Sequence, residues 1–302
     1  MDQPRIISLS PWGTGVLAET GLDRWLVGIS HKCRVPESAG NLPVVTKPME
    51  NDQPLPEDFL QLPRHFPTMI LSPFNVDPGI LISLKPSHII TESLSPVCRI
   101  SVNDIEQQLF EWLGYKVKVV HLSDANLGDI FGSVKSVIHA LGLPDSNMTA
   151  YDKCRKQLTK AGKKMASKKH QPLIGVLMNY FPARFAGRYF SELIPLVGAT
   201  PLNWPHDIWI PDPVYAYPVP HKVIVAEPDT PLEKQREKLI RYASKILSLW
   251  GVNCRIKFYP VDGPDFWDKS CSGLLTTLET IGEIVLDDPK HQQRKGTVWD
   301  HW

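Results

Sequence analysis

Short apolar runs alternate along the chain with longer stretches in which apolar residues recur every three or four positions. The short runs are rich in β-branched residues and predict buried strands, and the longer stretches predict amphipathic helices. The predicted strands are 5–10, 27–30, 42–48, 88–91, 116–122, 172–179, 222–226 and 255–261. The predicted helices are 16–21, a short one near 58–62, 102–113, 124–142, 147–169, 190–198, 231–250 and 274–286. This alternation predicts an α/β protein.

Four loops follow predicted strands at their carboxyl ends, where open α/β sheets bind ligands. They are 11–15, 94–98, 180–189 and 262–267. Asp124 is the expected N-cap of the helix over 124–142, and the segment 287–302 is polar and is expected to be loosely held. The loop glycines form neither a G-x-G-x-x-G nor a Walker pattern, so no phosphate loop is predicted.

Composition and charge narrow the class of protein. The chain has 302 residues, of which 42% are hydrophobic and 22% charged, as in globular proteins. A formal net charge of +1 gives no reason to expect a nucleic-acid partner. The lysine run within 147–169 is interpreted as a solvated helix face.

Cysteine usage and the N-terminal residues bear on the compartment. The five cysteines contain no C-x-x-C pair, which fits a reducing compartment better than a disulfide framework. The N-terminal residues lack a basic segment followed by an apolar run. The expected location is therefore cytoplasmic, or periplasmic if the N-terminus is truncated.

Several patterns are similar to those of one family. Segment 84–101 reads L-K-P-x-x-I-I-T-x-x-L-x-x-V-C-x-x-S, segment 5–11 reads R-I-I-S-L-S-P, and segment 258–266 reads F-Y-P-V-D-G-x-x-F. The chain resembles the cobalamin-binding branch of the Fe/cobalamin periplasmic-binding family, the class III substrate-binding proteins of metal-chelate ABC importers.

The resemblance implies two Rossmann-like α/β lobes joined by a single long helix. The corresponding domains are an N-terminal lobe over 1–145, a linking helix over 146–170 and a C-terminal lobe over 171–302. It also implies a non-catalytic function: binding a cobalamin-like corrinoid in a cleft between the lobes for transport, storage or delivery. The corrinoid would be the ligand, with no catalytic cofactor.

Eight residues in the strand-end loops would line that cleft. They are Trp12, Pro96, Cys98, Phe181, Arg184, Tyr189, Phe266 and Trp267. Flat apolar walls suit a macrocycle, and Arg184 could meet a polar group at its rim. For each aromatic residue, ordinary core packing is the alternative, and for Cys98 a small buried hydrophobic residue is favoured over a metal ligand.

Other functional classes have weaker support. There is no G-x-S-x-G and no H-E-x-x-H motif, so an enzyme is not expected. His31 and Cys33 could hold a metal, but a hydrogen-bonded loop histidine is favoured and no metal site is predicted. The alternatives that stay open are a siderophore- or haem-binding protein of an ABC importer and a metal-chelate-modifying enzyme on a similar scaffold.

A permease partner is possible, but the glutamates by which importer-docking relatives bind it are not evident. The matching positions are Gly79, with Asp77 nearby, and Pro195, with Glu192 one turn away. The chain is expected to be a monomer that binds a small metal-chelate ligand and no nucleic acid.

Overall fold

Two β-sheets organise the chain, one in each of two compact units. The computed structural model describes residues 3–48, 71–72, 74–92, 102–166, 171–180, 183–202, 218–248, 250, 255–288, 290 and 292–301. The first unit comprises Met1–Ser123 and Gly128–Ala150, and the second comprises Asp124–Leu127 and Tyr151–Trp302. The helix predicted near 58–62 lies outside the described residues.

The first unit contains a four-stranded parallel sheet. The described strands of this unit are β1 (Ile6–Ser8), β2 (Leu26–Ile29), β3 (Thr46–Lys47), β4 (Asn75–Val76), β5 (His88–Thr91) and β6 (Lys118–His121). Its helices are α1 (Pro11–Glu19), α2 (Pro78–Leu84), α3 (Val102–Leu113) and, from its second residue onward, α4 (Leu127–Ala140). The sheet order is β2-β1-β5-β6, while β3 and β4 form a separate antiparallel pair.

The second unit contains a five-stranded sheet. Its strands are β7 (Leu173–Tyr180), β8 (Ala183–Ala186), β9 (Thr200–Pro201), β10 (Lys222–Val225) and β11 (Lys257–Pro260). Its helices are α5 (Thr149–Met165), α6 (Phe190–Leu196), α7 (Leu232–Ser248), α8 (Gly263–Phe266) and α9 (Cys271–Leu286). The order is β11-β10-β7-β8, with β9 also on β7, and all pairs are parallel except the antiparallel pair β7–β8. The predicted α/β fold class is confirmed.

The central strands of both sheets are mostly buried, which explains their near-continuous apolar runs. In β1 and β10 every residue is buried, and alternate residues of each strand therefore face helices on opposite sides of the sheet. The amphipathic helices contribute the facing layer: Ile105 and Leu109 of α3 belong to the core of the first unit, and Leu239, Ala243 and Ile246 of α7 to that of the second.

Helix α1 begins earlier than predicted, and the expected loop 11–15 is its first turn and a half. The Ser10 side chain caps it by accepting a hydrogen bond from the backbone N–H of Gly13 at 2.9 Å, and Pro11 occupies the first helical position. Gly13 is required for close packing, because a Cβ there would lie 2.7 Å from Cγ2 of Ile90 on β5.

Two other predicted loops of the second unit also contain regular structure. Part of 180–189 forms β8, which pairs antiparallel with β7, because the chain turns back on itself after Tyr180. Part of 262–267 forms the short helix α8, capped by the Asp262 side chain, which accepts from the N–H of Asp265 at 3.2 Å.

Helix α5 belongs to the second unit from Tyr151 onward and packs closely on it. A Cβ at Gly162 would lie 2.9 Å from the carbonyl oxygen of Leu196 at the end of α6. A Cβ at Gly282 of α9 would likewise lie 2.6 Å from Cε of Met165. Small residues at both contacts allow the helices to approach, so the apolar side of α5 is fixed against this unit. The predicted role of α5 as a stiff link between lobes stays a prediction.

The segment 287–302 was expected to be loosely held, and this expectation is wrong. Trp299 is fully buried and its indole N–H donates to Glu283 Oε2 at 2.8 Å. Arg294 donates to Glu283 Oε1 at 3.0 Å and also pairs with Glu279. The acids of α9 thus anchor this segment, and burial of the indole adds to the core.

The same segment extends the edge of β11. The N–H of Asp262 donates to the Val298 carbonyl at 2.7 Å, and the N–H of Asp300 donates to the Pro260 carbonyl at 3.0 Å. Backbone pairing of this kind satisfies polar groups that would otherwise be left at the strand end.

A pair of glycine substitutions tests the packing of α1. Gly13→Ala is expected to lower the free energy of unfolding by about 1–3 kcal/mol, because the added methyl meets buried Ile90. Gly132→Ala in α4, where no neighbour lies within 4 Å, is expected to raise it by about 0.5–1 kcal/mol. Urea unfolding measures both values. Shifts of the same sign would contradict the packing described for α1.

The anchoring of the C-terminal segment is tested by Trp299→Ala. This change is expected to lower the free energy of unfolding by about 3–5 kcal/mol, because it removes a fully buried indole and leaves a cavity. Gln293→Ala, an exposed position in the same segment, is the control and is expected to change it by less than about 0.5 kcal/mol. Equal effects in urea unfolding would show that the segment contributes little to the fold.

Candidate functional site

Four aromatic side chains form a continuous cluster in the second unit; we call Tyr189, Phe190, Phe266 and Trp267 the aromatic cluster. The Phe190 ring stacks on Tyr189 with ring centroids 4.4 Å apart and on Phe266 with centroids 5.3 Å apart. The Trp267 ring meets Phe190 edge-on at 5.2 Å. Stacked and edge-on pairs of this type each stabilise packing by about 0.5–1.5 kcal/mol beyond the burial of area. The cluster is therefore a rigid apolar body.

Trp267 is the partly exposed member of this cluster and is held in a fixed orientation. Its indole N–H donates to the carbonyl of Ala226, directly after β10, at 2.6 Å. The residue ends α8, which starts at the carboxyl end of β11. The indole therefore lies at the carboxyl edge of the parallel strands, where α/β sheets bind ligands.

Gly263 allows the start of α8 to pack directly against the backbone that follows β10. A Cβ at this position would lie 1.9 Å from the carbonyl oxygen of Glu227, so no other residue fits without moving the backbone. The N–H of Gly263 donates to the Thr230 carbonyl at 3.0 Å. This close approach is the physical reason for a glycine in the Val-Asp-Gly pattern noted in the sequence.

A cluster of charged residues lies in the same unit and shares Asp124. The carboxylate pairs with Lys269 at 2.9 Å and also with Arg188. Asp124 was predicted to cap α4, but the helix starts at Leu127 and the carboxylate is committed to these cations instead. The Arg188 side chain is 42% exposed and that of Lys269 only 12%. Arg188 is thus the cation of the pair that a ligand could reach.

The environment of Asp124 shifts its acidity in a direction that favours the ion pair. Burial works to raise the pKa of this carboxyl, but the charges of Lys269 and Arg188 and their hydrogen bonds outweigh burial and hold the pKa below its ordinary value. The carboxylate therefore stays ionised and holds both cations in place. In the sequence, Lys269 follows Trp267 of the aromatic cluster by two residues, and Arg188 directly precedes Tyr189.

Glu227 lies two residues beyond β10 and is another charged residue at the carboxyl edge of the second sheet. Its carboxylate accepts from Thr230 Oγ1 at 3.0 Å and pairs with Lys238 of α7. The Tyr180 hydroxyl, at the end of β7, donates to the Gln235 carbonyl at 3.0 Å. Because burial raises the pKa of Tyr180, this hydroxyl stays neutral.

The carboxyl edge of the first sheet carries small polar side chains. Thr46 Oγ1 lies 2.9 Å from Ser30 Oγ and 2.7 Å from His31 Nδ1, and it also accepts from the His31 N–H at 2.9 Å. The His31 ring meets Phe74 edge-on at 4.6 Å. His31 is thus a hydrogen-bonded residue of this edge, as the favoured interpretation of the sequence held.

Cys33, next to this group, is a thiol. Burial raises the pKa of this thiol, and hydrogen bonds to neighbouring groups offset that increase only in part. Its Sγ donates to the Ser8 carbonyl at 3.7 Å. Among the described residues no three His, Cys, Asp or Glu side chains converge in a way that could hold a metal ion.

The structure separates the eight predicted site residues into three groups. Trp12 on α1 is 2% exposed, and Tyr189 and Phe266 are fully buried, so core packing, the alternative considered for each of them, describes their surroundings. Arg184 on β8 and Trp267 are partly exposed. Pro96, Cys98 and Phe181 lie outside the described residues.

Sequence reasoning missed three residues that the structure joins to this set. Phe190 was assigned only to a helix, although it contacts three other rings of the aromatic cluster. Lys269 was not considered, and Asp124 was given a local capping role. The pairing of Asp124 with Arg188 spans 64 residues, and no local pattern signals a contact of that kind.

The acids nearest to the expected permease-docking positions are engaged within their own units. Asp77 caps α2 by accepting from the Ile80 N–H at 3.1 Å, and it lies 3.7 Å from the Lys47 ammonium. Glu192 accepts from the Leu127 N–H at 3.1 Å. Both nevertheless keep exposed or partly exposed side chains.

No protein-family model matches the sequence, and no curated protein matches it. Solved structures match the fold. The periplasmic haem-binding protein HutB of Vibrio cholerae is 19% identical, with a TM-score of 0.63 over 94% of this chain and 99% of that one. The periplasmic vitamin B12-binding protein BtuF of V. cholerae is 17% identical, with a TM-score of 0.57 over 94% and 98%. An ABC transporter substrate-binding protein of Listeria monocytogenes is 15% identical, with a TM-score of 0.62 over 95% and 100%.

These likenesses show that the chain has the fold of class III substrate-binding proteins. They do not single out the cobalamin branch, because both haem-binding and B12-binding proteins match. The cytoplasmic location expected from the N-terminal residues is wrong on this comparison, since HutB and BtuF are periplasmic.

The helices were also compared with the length and hydropathy that a membrane crossing requires. None of those in the described part of the chain meets both requirements.

The role of Asp124 is tested by Asp124→Asn. At neutral pH this variant is expected to lose about 1–3 kcal/mol of unfolding free energy, because Lys269 and Arg188 lose a charged partner. A depressed carboxyl pKa stabilises the fold above the unfolded-state pKa, and this stabilisation is lost as the pH falls through the folded-state value. The deficit of the variant is therefore expected to shrink as the pH falls below about 4.

Unfolding in urea at a series of pH values measures this deficit. Glu237→Gln, which removes an exposed carboxylate from α7, is the matched control. A deficit for Asp124→Asn that is the same at every pH would contradict the ion-pair account.

Proposed function

We propose that this chain is a non-catalytic binding protein for a planar metal chelate, with a cobalamin-like corrinoid as the first candidate ligand. In this proposal it works outside the cytoplasmic membrane and delivers its ligand to an ABC permease. The observation that carries the proposal is the fixed, partly exposed indole of Trp267 at the carboxyl edge of a parallel sheet, in a fold shared with substrate-binding proteins.

The chemistry of the aromatic cluster supports a flat ligand. Trp267 is backed by rings that are fully packed, so its exposed surface needs no rearrangement to receive a macrocycle. Covering apolar surface contributes about 25 cal/mol per Å². The buried rings of Tyr189 and Phe266 then act as support for the contact surface, and Trp267 is the residue proposed to touch the ligand.

Cations at the same edge would meet the polar rim of the ligand. Arg184 was the residue expected to do this, and Arg188 is a second candidate because it is partly exposed and held by Asp124. Guanidinium groups bind carboxylates, phosphates and amide oxygens through several N–H donors at once. The predicted contacts outside the described residues, Pro96, Cys98 and Phe181, stay part of the proposal, whereas Trp12 is 2% exposed and belongs to the core of its own unit.

The second candidate is a haem or a ferric siderophore. Arg188 favours it, since an exposed guanidinium suits a chelate that carries carboxylates more than one whose rim is largely amide. Haem-binding, vitamin B12-binding and possible iron-binding proteins share this fold.

Titration with three chelates tests the proposal. Purified protein is mixed with cyanocobalamin, haemin or a ferric siderophore, and binding is followed by visible absorbance and calorimetry. One chelate is expected to bind in a 1:1 complex, and Trp267→Ala is expected to weaken that complex at least tenfold, or about 1.4 kcal/mol.

The control is Trp25→Ala, which removes a half-buried indole at the amino end of β2, away from the carboxyl edge of its sheet. It is expected to leave affinity unchanged. Saturable binding of none of the three chelates would overturn the proposal, and equal losses in both tryptophan variants would remove Trp267 from the site.

A further inference from the structure

One face of α5 carries an unusual density of positive charge. The helix has six cationic residues and a single acidic one, whereas the whole chain has a net charge of only +1. The cationic residues are Lys153, Arg155, Lys156, Lys160, Lys163 and Lys164, and all are exposed. The opposite face is buried against the second unit through Tyr151, Cys154, Leu158 and Gly162.

Helix stability explains only part of this pattern. Lys163 and Lys164 lie in the last turn, where cations interact favourably with the helix dipole. Arg155, Lys156 and Lys160 lie in the middle turns, where the dipole offers no such gain. Lys156, Lys160 and Lys163 form no ion pair with any described residue, and like charges one turn apart on a helix repel each other.

The same face forms one side of an open groove, and the residues described along it all belong to α5. Asp152, Arg155, Lys156, Thr159, Lys160 and Lys163 border an open depression with a volume of about 760 Å³. This volume lies within the roughly 300–1,000 Å³ of small-molecule sites. Along the helix axis these residues span about 16 Å, at 1.5 Å per residue. The four cations therefore present an elongated strip of positive charge.

We propose that this basic groove, lined by Arg155, Lys156, Thr159, Lys160 and Lys163 with the one carboxylate of Asp152 at its end, binds a soluble condensed phosphate or a small ligand with a similar row of phosphates. Successive turns of the helix bring a cation to the groove every 5.4 Å or so, which lets one chain of linked phosphates meet several cations at once. The Thr159 hydroxyl lies between the charges but donates to the Arg155 carbonyl at 3.1 Å, so the cations alone carry the proposed recognition. This site is independent of the proposed chelate site.

The shape of the groove favours a soluble ligand over a membrane. A flat layer of lipid headgroups would touch the tips of the lysine side chains and leave the depression empty. A free polyphosphate can enter it and contact the side chains along their length. Attraction between such charges is screened by salt, so affinity should fall steeply as salt rises.

The test uses inorganic tripolyphosphate as the probe with the full chain, measured by calorimetry at low salt and at physiological salt. Tripolyphosphate is expected to bind in a 1:1 complex at least tenfold more tightly than orthophosphate. Lys156→Gln combined with Lys160→Gln is expected to weaken this complex at least tenfold. The charge-retaining pair Lys156→Arg and Lys160→Arg is expected to preserve it.

Lys234→Gln combined with Lys290→Gln removes the same charge from exposed positions elsewhere in the second unit and is the matched control. It is expected to leave tripolyphosphate affinity within twofold of the unmodified chain. Equal losses in both glutamine pairs would overturn the proposal by showing a general charge effect.

A second arm measures sedimentation with vesicles of phosphatidylglycerol and phosphatidylcholine. No lysine-dependent vesicle binding is expected. Vesicle binding that depends on Lys156 and Lys160, without tripolyphosphate binding, would replace the soluble ligand with a lipid surface and overturn the proposal. Circular dichroism of every variant confirms that α5 is folded.

Discussion

The backbone of a parallel strand must be paired on both sides and covered on both faces, and this requirement governs both units. Every residue of β1 and β10 is buried, so the chain can change direction only beyond the strand ends. Polar groups accumulate at those ends because caps are needed there. Ser10 begins α1 and Asp262 begins α8 in this way. The candidate ligand surface at Trp267 is a product of the same constraint, since α8 is the turn that the end of β11 requires.

The parts of the fold that follow from local pattern could be predicted. The strand over His88–Thr91 and the helix over Val102–Leu113 have the predicted bounds, because buried strands and amphipathic helices leave a direct periodic signal. The start of α1 was missed although its Ser-Pro capping pair is visible in the sequence, because the two glycines nearby suggested a loop. Gly13 is in fact a packing requirement inside the helix.

The candidate site was harder to predict, because its geometry depends on contacts between distant residues. Tyr189, Phe266 and Trp267, three of the predicted cleft residues, meet around Phe190, and their part in a ligand site stays a prediction. Which of them is exposed could not be read from the sequence, where a buried and an exposed aromatic residue look alike. The partners of Asp124 and the anchoring of Trp299 by Glu283 join residues that are far apart or weakly patterned.

The attachment of Val298 and Asp300 beside β11 has a consequence for how copies of the protein behave in concentrated solution. Among the described strands β11 is the outermost of its sheet, and a bare outer strand can recruit a strand from a neighbouring molecule. The hydrogen bonds to Asp262 and Pro260 occupy the carboxyl end of that strand. A short terminal segment therefore serves as a guard against intermolecular strand pairing, and its loss would expose a template for aggregation.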